Sequence, residues 1–164
     1  MIILEDTRQQ ASKHKYKHKW FEENGIEVIR TKLMCGDYTL PTNQSICVDT
    51  KFSILEICGN VCQQHDRFRR ELLRSKEAGI KLVILVENED DVSCLEDIIF
   101  WENPRRHMRK KVDGKWQDIE TNATTGETLY KILTTLQEKY GCEFQFCTKE
   151  ETGKRILEIL SNDT

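Results

Sequence analysis

The spacing of apolar positions changes several times along the chain, and each change marks an element. Ile2 to Leu4 forms a short apolar run, the pattern of a buried strand. Lys15 to Glu23 suits a helix that Gly25 ends, and Ile26 to Ile29 reads as a second strand. Leu33 to Leu40 and Ser45 to Lys51 read as the arms of a hairpin, with Pro41, Thr42, Asn43 and Gln44 as its loop. Ser53 and Glu56 form a capping box that opens a helix to about Cys62. Asp66 to Ala78 is helical and stops at Gly79. Lys81 to Val86 is a continuous apolar run, the mark of a strand buried on both faces.

The second half alternates in the same way. Val92 to Phe100 is predicted as a helix that ends before Pro104. Asn103 to Asn122 is polar, basic and poorly periodic, and reads as a long mobile loop. Thr124 to Glu127 caps a helix running to about Tyr140. Cys142 to Cys147 reads as a strand, and Thr148 with Glu151 caps a last helix to about Leu160. The expected architecture is a single α/β domain over 1–164. Its mixed central sheet contains an antiparallel hairpin and carries helices on both faces.

Composition leaves this picture intact. The chain has 164 residues, 32 % charged and 38 % hydrophobic, the profile of a globular domain. No stretch reaches the ~18 apolar residues of a membrane span. The amino end lacks the basic-then-apolar pattern of a secretory signal. The expected location is cytoplasmic, nucleoid-associated or nuclear, with no secretion and no membrane partner. Cys35, Cys47, Cys142 and Cys147 lie in apolar runs and read as core thiols of a reducing compartment. Cys58, Cys62 and His65 lack a second ligand pair, so packing is favoured over zinc. The net charge of −3 gives no global case for nucleic acid, yet Lys13 to Lys19 and Arg105 to Lys111 are local basic patches. Trp101 reads as packed against the sheet. Trp116 flanks the second patch, where it could stack on bases.

The chemistry concentrates in the first hairpin. Side chains alternate along a strand, so Cys47, Asp49 and Lys51 share one face. Cys35, Asp37 and Thr39 share a face of the other arm. In a register where Leu40 faces Ile46, Asp37 lies opposite Asp49. Two opposed carboxylates destabilise a hairpin unless a cation stands between them. Oxygen donors of this kind suit Mg²⁺ or Mn²⁺. Lys51 would flank such an ion. The alternative from spacing alone is a solvent-exposed hairpin with incidental charges.

Asp49-Thr50-Lys51 after Asp37 resembles the PD-(D/E)XK nuclease superfamily. More narrowly, the chain resembles the XPF-type structure-specific endonuclease domain. The residues that carry the likeness are Asp6-Thr7-Arg8-Gln9, Gly36-Asp37, Asp49-Thr50-Lys51, Arg67-Phe68 with Glu71, and the strand ending at Glu87. The likeness implies hydrolysis of DNA phosphodiesters, on branched, flapped or nicked substrates in repair, recombination or replication. It implies Asp37, Asp49 and the main-chain carbonyl of Thr50 as metal ligands and Lys51 as the catalytic cation. It further implies Asp6 and Glu71 in an outer shell, with a plain salt bridge as the alternative for each. Arg8, Arg67 and Arg70 are candidate phosphate contacts. The basic stretch of Arg105, Arg106, Arg109, Lys110 and Lys111 is another. No helix-hairpin-helix module is expected within the chain, so DNA affinity would come from the domain, a homodimer or a partner that supplies one.

The sequence departs from that pattern at several points. Asp49 stands in place of Glu, Gln9 in place of Glu, and Thr50 in place of an Arg, which removes a cation beside the site. The acid expected four residues after Lys51 falls on Leu55, while Glu56 is explained by its capping box. These departures leave a second expectation open: a non-cleaving relative that binds DNA or acts as a scaffold.

Overall fold

The computed structural model describes residues 1–162, so the last two residues of the expected domain lie outside the described residues. Six strands form one mixed sheet in the order β2-β1-β3-β4-β5-β8. These are β1 (Ile2–Asp6), β2 (Glu27–Thr31), β3 (Tyr38–Thr39), β4 (Ile46–Lys51), β5 (Lys81–Glu87) and β8 (Glu143–Cys147). β1 runs parallel to β2, and β4, β5 and β8 run parallel to one another, while β3 pairs antiparallel with both β1 and β4. The hairpin thus joins two parallel halves, and the acids sit at that join.

Alternation on the central strands explains the two cores. Cys47, Leu82, Ile84 and Val86 pack on one face with Ile57, Leu72 and Leu133. Those partners come from α2 (Ile54–Cys62), α3 (His65–Glu77) and α4 (Gly126–Tyr140). Ile46, Val48, Val83 and Leu85 pack on the other face with Phe21 and Ile156. Those belong to α1 (Lys15–Glu23) and α5 (Thr152–Ser161). β5 is buried from Leu82 to Glu87, as its unbroken apolar run implies. Asp49 and Lys51 therefore fall on the α2/α3 face, and Thr50 falls on the α1 face.

The caps of α2 and α4 agree with the sequence. Ser53 accepts the Glu56 amide at the start of α2, and the Glu56 carboxylate accepts the Phe52 amide. Thr125 accepts the Thr128 amide at the start of α4. At α5 the expected Thr148 cap is not formed: the Thr148 amide donates to Glu151, which itself stands at the cap position without a side-chain cap bond. Trp101 is buried, as expected.

Three expectations need correction. The first hairpin arm shrinks from Leu33–Leu40 to Tyr38–Thr39. Gly36 takes a left-handed φ of +68° and turns the chain out of the ladder; a Cβ there would lie 3.0 Å from Cys47 Cβ. Val92 to Phe100 is no α-helix but a loop followed by a 3-10 turn, Leu95–Phe100. Asn88 winds that loop: its Oδ1 accepts the Asp90 and Val92 amides and its Nδ2 donates to the Val92 carbonyl. Asn103 to Asn122 is not a mobile loop. It holds a 3-10 turn at Pro104–Arg106 and a separate hairpin of β6 (His107–Val112) and β7 (Lys115–Glu120). Asp113 and Gly114, at φ 51° and 78°, close it as the type I′ geometry requires.

Candidate active site

The hairpin register places the acids. Tyr38 pairs with Val48, and the ladder ends there. The Asp37 amide donates to the same Val48 carbonyl at 2.8 Å, a bulge one residue out of step with the Asp37–Asp49 pairing expected from sequence, yet Asp37 stays near enough to act on the Asp49 carboxyl. Asp37 Oδ2 accepts from the Thr50 amide at 2.7 Å and the Thr50 hydroxyl at 2.8 Å. A residue's N–H and C=O leave a strand toward the same edge. The Thr50 carbonyl therefore points toward the same side as the Asp37 carboxylate.

Asp49 is 5 % exposed, and Lys51 Nζ lies 2.8 Å from its Oδ2 as an ion pair. Burial, then the nearby Asp37, pushes the Asp49 pKa up to about 8 against the pull of Lys51. Burial also raises Asp37, more than the two Thr50 bonds and Lys51 lower it. For Lys51, burial works against the ammonium, but Asp49, Asp37 and Glu71 outweigh it and hold the proton firmly. Phe68 stands beneath this ammonium, 5.8 Å from ring centre to Nζ.

These residues line an open cleft of about 490 Å³ with Arg8, Lys13, His14, Arg67, Glu71 and Arg74. Gln64, at the cap of α3, and the α3 residues Arg67, Phe68, Glu71 and Arg74 recur in that wall at helical spacing. The same spacing turns Arg70 away from the cleft, and it is not among the lining residues. Arg105, Arg106, Arg109, Lys110 and Lys111 also lie outside the cleft. Lys13, His14 and Arg74 were not singled out from sequence as site residues; for Arg74 the signal was its place seven residues after Arg67.

The two outer acids differ. Asp6 takes Arg8 Nε at 2.7 Å, Arg8 Nη2 at 2.9 Å and the Arg8 and Leu33 amides at 2.8 Å each. Its acceptors are occupied, so Asp6 holds Arg8 in place at the cleft edge. Burial pushes its pKa up, but the Arg8 bonds and the Leu33 amide outweigh that and leave it lowered. Glu71 makes only a long contact with the Gly36 amide, at 3.4 Å, and faces the cleft. Leu55 packs against the core, so no acid stands four residues beyond Lys51.

The basic run at Lys13 to Lys19 is no uniform solvated face. His14 and Lys17 are buried, and Lys17 Nζ lies 3.3 Å from the Thr50 hydroxyl. A cation thus stands beside Thr50 although Thr50 itself carries none.

The residues present fit a hard divalent cation. Two carboxylates and a carbonyl around one cleft supply hard oxygen donors. Among the described residues no three His, Cys, Asp or Glu side chains gather closely enough to hold a metal, so the set depends on the Thr50 carbonyl. Cys58, Cys62 and His65 form no such group either, and Cys58 and Cys62 are free thiols.

A mixed sheet carrying two neighbouring acids and a lysine on its hairpin defines the chain as a domain of the PD-(D/E)XK type, with the XPF nuclease fold. The ERCC4 domain matches residues 6–160, and the chain belongs to that family. Among solved structures it is similar to XPF from Aeropyrum pernix. The identity is 21 % and the TM-score 0.67, over 99 % of this chain and 65 % of that one. It is also similar to XPF from Aeropyrum pernix in complex with DNA. There the identity is 21 % and the TM-score 0.65, over 99 % of this chain and 64 % of that one. The chain therefore spans less than two thirds of these relatives' length. No curated protein matches it.

Proposed function

We infer that this domain is a divalent-metal-dependent endonuclease that hydrolyses DNA phosphodiesters on branched, flapped or nicked substrates, in repair, recombination or replication. The observation that carries this reading is an open cleft lined by Asp37, Asp49 and Lys51, in which Asp37 acts on the Asp49 carboxyl and Lys51 Nζ lies 2.8 Å from Asp49 Oδ2. Membership of the ERCC4 domain family supports it, as does the likeness to an XPF solved with DNA.

Asp37, Asp49 and the Thr50 carbonyl would hold Mg²⁺ or Mn²⁺, which would supply Lewis-acid polarisation of the scissile phosphate. The Lys51 ammonium, held charged by the acids around it, orients the attacking water and stabilises charge that develops on the phosphate oxygens. Arg8 keeps N–H donors beyond those spent on Asp6, and with Arg67 and Arg74 it offers phosphate contacts along the cleft.

The β6–β7 hairpin supplies a second DNA contact outside the cleft. Its strands are almost wholly exposed. Lys110 faces Gln117 and Lys111 faces Trp116, which is 63 % exposed. Arg109 is engaged by Asp118 at 3.5 Å, so Lys110 and Lys111 carry most of the free charge. A homodimer, or a partner that brings a further DNA-binding module, would extend the footprint; light scattering with and without DNA tests this.

The absence of an acid at Leu55 favours a second reading, a weak or inactive relative that binds DNA without cutting it. Incubation with flap, fork, nicked and linear DNA separates the two. Cleavage that needs Mg²⁺ or Mn²⁺ and disappears in Asp49→Asn and Lys51→Met supports the enzyme. Salt-sensitive binding without cleavage supports the scaffold.

A further inference from the structure

Lys17 belongs to α1, on the opposite face of the sheet from Asp49 and Lys51, and is only 3 % exposed. Its sequence neighbours are basic and mostly exposed, yet its own chain turns inward. Nζ lies 3.3 Å from Thr50 Oγ1 and 3.5 Å from Glu87 Oε1. Glu87 is itself fixed by the Thr152 hydroxyl at 2.9 Å. The Thr50 hydroxyl reaches Asp37 Oδ2 at 2.8 Å.

The direction of these bonds follows from chemistry. An ammonium only donates, and a hydroxyl has one proton to give. Lys17 therefore fills a lone pair of Thr50 Oγ1, and the single hydroxyl proton is left for Asp37. Hydrogen bonds in such a chain polarise one another. A buried ion pair is weak evidence for stability, so the Lys17–Glu87 pair does not by itself explain a lysine at this place.

We propose that Lys17 is a positioning residue for the candidate metal site, acting through the Thr50 hydroxyl to hold the Asp37 carboxylate in the cleft it shares with Asp49. The assignment rests on the metal-site reading above. Lys17 touches neither DNA nor the reacting atoms.

The test measures Mn²⁺ binding by electron paramagnetic resonance on the purified chain. The variants are Glu87→Gln, Thr50→Val, Lys17→Met with Glu87→Gln, and that pair combined with Thr50→Val. Changing Lys17 and Glu87 together removes both buried charges, so no unpaired carboxylate is left in the core. Supporting residues behind a metal ligand commonly affect affinity ~10–100-fold. The expected result is a Kd for Mn²⁺ raised about tenfold in Lys17→Met with Glu87→Gln and in Thr50→Val, while Glu87→Gln alone changes it less. The charge-neutral pair combined with Thr50→Val should be no worse than Thr50→Val. A purely structural role would lower thermal stability but leave the Mn²⁺ affinity of the folded protein unchanged. Wild-type affinity in the charge-neutral pair overturns the proposal, as do losses that multiply in the combined variant. A wild type that binds no Mn²⁺ refutes the metal-site reading instead. In that case a crystal structure of the charge-neutral pair decides: a changed Asp37 rotamer supports the relay, and a retained Thr50 Oγ1–Asp37 Oδ2 contact near 2.8 Å overturns it.

Discussion

Replacing Asp49 by asparagine should make the metal-free protein more stable, although it removes a residue of the candidate site. Asp49 is 5 % exposed, and burial followed by Asp37 pushes its pKa from 3.8 to about 8. In the unfolded chain the same acid titrates near ~3.9. At pH 7 folding must therefore place a proton on Asp49. At ~1.36 kcal/mol per pH unit above the unfolded value, this costs on the order of 4 kcal/mol. Asparagine resembles the protonated acid in shape and charge and escapes that cost. Between about pH 4 and about pH 8 the folded wild type binds more protons than the unfolded chain, so its stability declines as pH rises. The variant's profile should be flatter, and the two should meet below about pH 4. Urea unfolding in EDTA across that range reads the difference directly. Adding Mn²⁺ should reverse part of it, because a ligand of the native state at 100 times its Kd contributes ~2.7 kcal/mol, here to the wild type alone. A variant less stable than wild type throughout the range in EDTA would refute the claim that burial and the nearby Asp37 outweigh Lys51 at Asp49.

Other consequences are as specific. His14 is 4 % exposed, and burial, then Lys17, lowers its pKa to about 4. The unfolded chain protonates it near ~6.5, so stability should fall as pH drops from there to about 4, by on the order of 3 kcal/mol. His14→Gln should flatten that part of the urea profile, and an unchanged slope would contradict the assignment. Gly36→Ala should destabilise by at least ~1 kcal/mol and lower the melting temperature by at least ~2 °C, because φ is +68° and the added Cβ meets Cys47 and Val48. An unchanged melt would remove Gly36 from the account of the hairpin's register. Replacing Lys110 and Lys111 by serine should lower the slope of log affinity for DNA against log salt by about 2, at ~0.9 per phosphate contact. Arg109→Ser should change it less, and equal slopes in all three proteins would remove the β6–β7 hairpin from the DNA contact.

How much of this was legible in the sequence depended on whether a local rule governed each segment. Lys81 to Val86 read correctly because a strand buried on both faces leaves no polar interruption. The Tyr38–Val48 pairing fits the register read from sequence, because a short loop leaves few pairings, but the bulge at Asp37 was not legible there. The first arm was drawn too long because the alternation of Leu33 to Leu40 gave no sign of the left-handed turn at Gly36. Val92 to Phe100 was misread because its polar positions fitted a helix, whereas the Asn88 side chain organises the segment from outside it. Asn103 to Asn122 has almost no buried positions, so no hydrophobic period was there to find; Asp113-Gly114 was the one local hairpin signal. At the site, Asp37, Asp49 and Lys51 follow from alternation. Lys17 does not, because its contact with Thr50 joins residues 33 apart through tertiary packing.

The most direct test of the central claim is cleavage of end-labelled flap, fork and nicked DNA by the purified domain, with Mg²⁺, Mn²⁺ or EDTA, alongside Asp37→Asn, Asp49→Asn and Lys51→Met. The account predicts strand cleavage at the branch or nick that requires the divalent cation and is lost in all three variants, while DNA binding persists. Cleavage that continues in EDTA, or in Asp49→Asn with metal present, would contradict it.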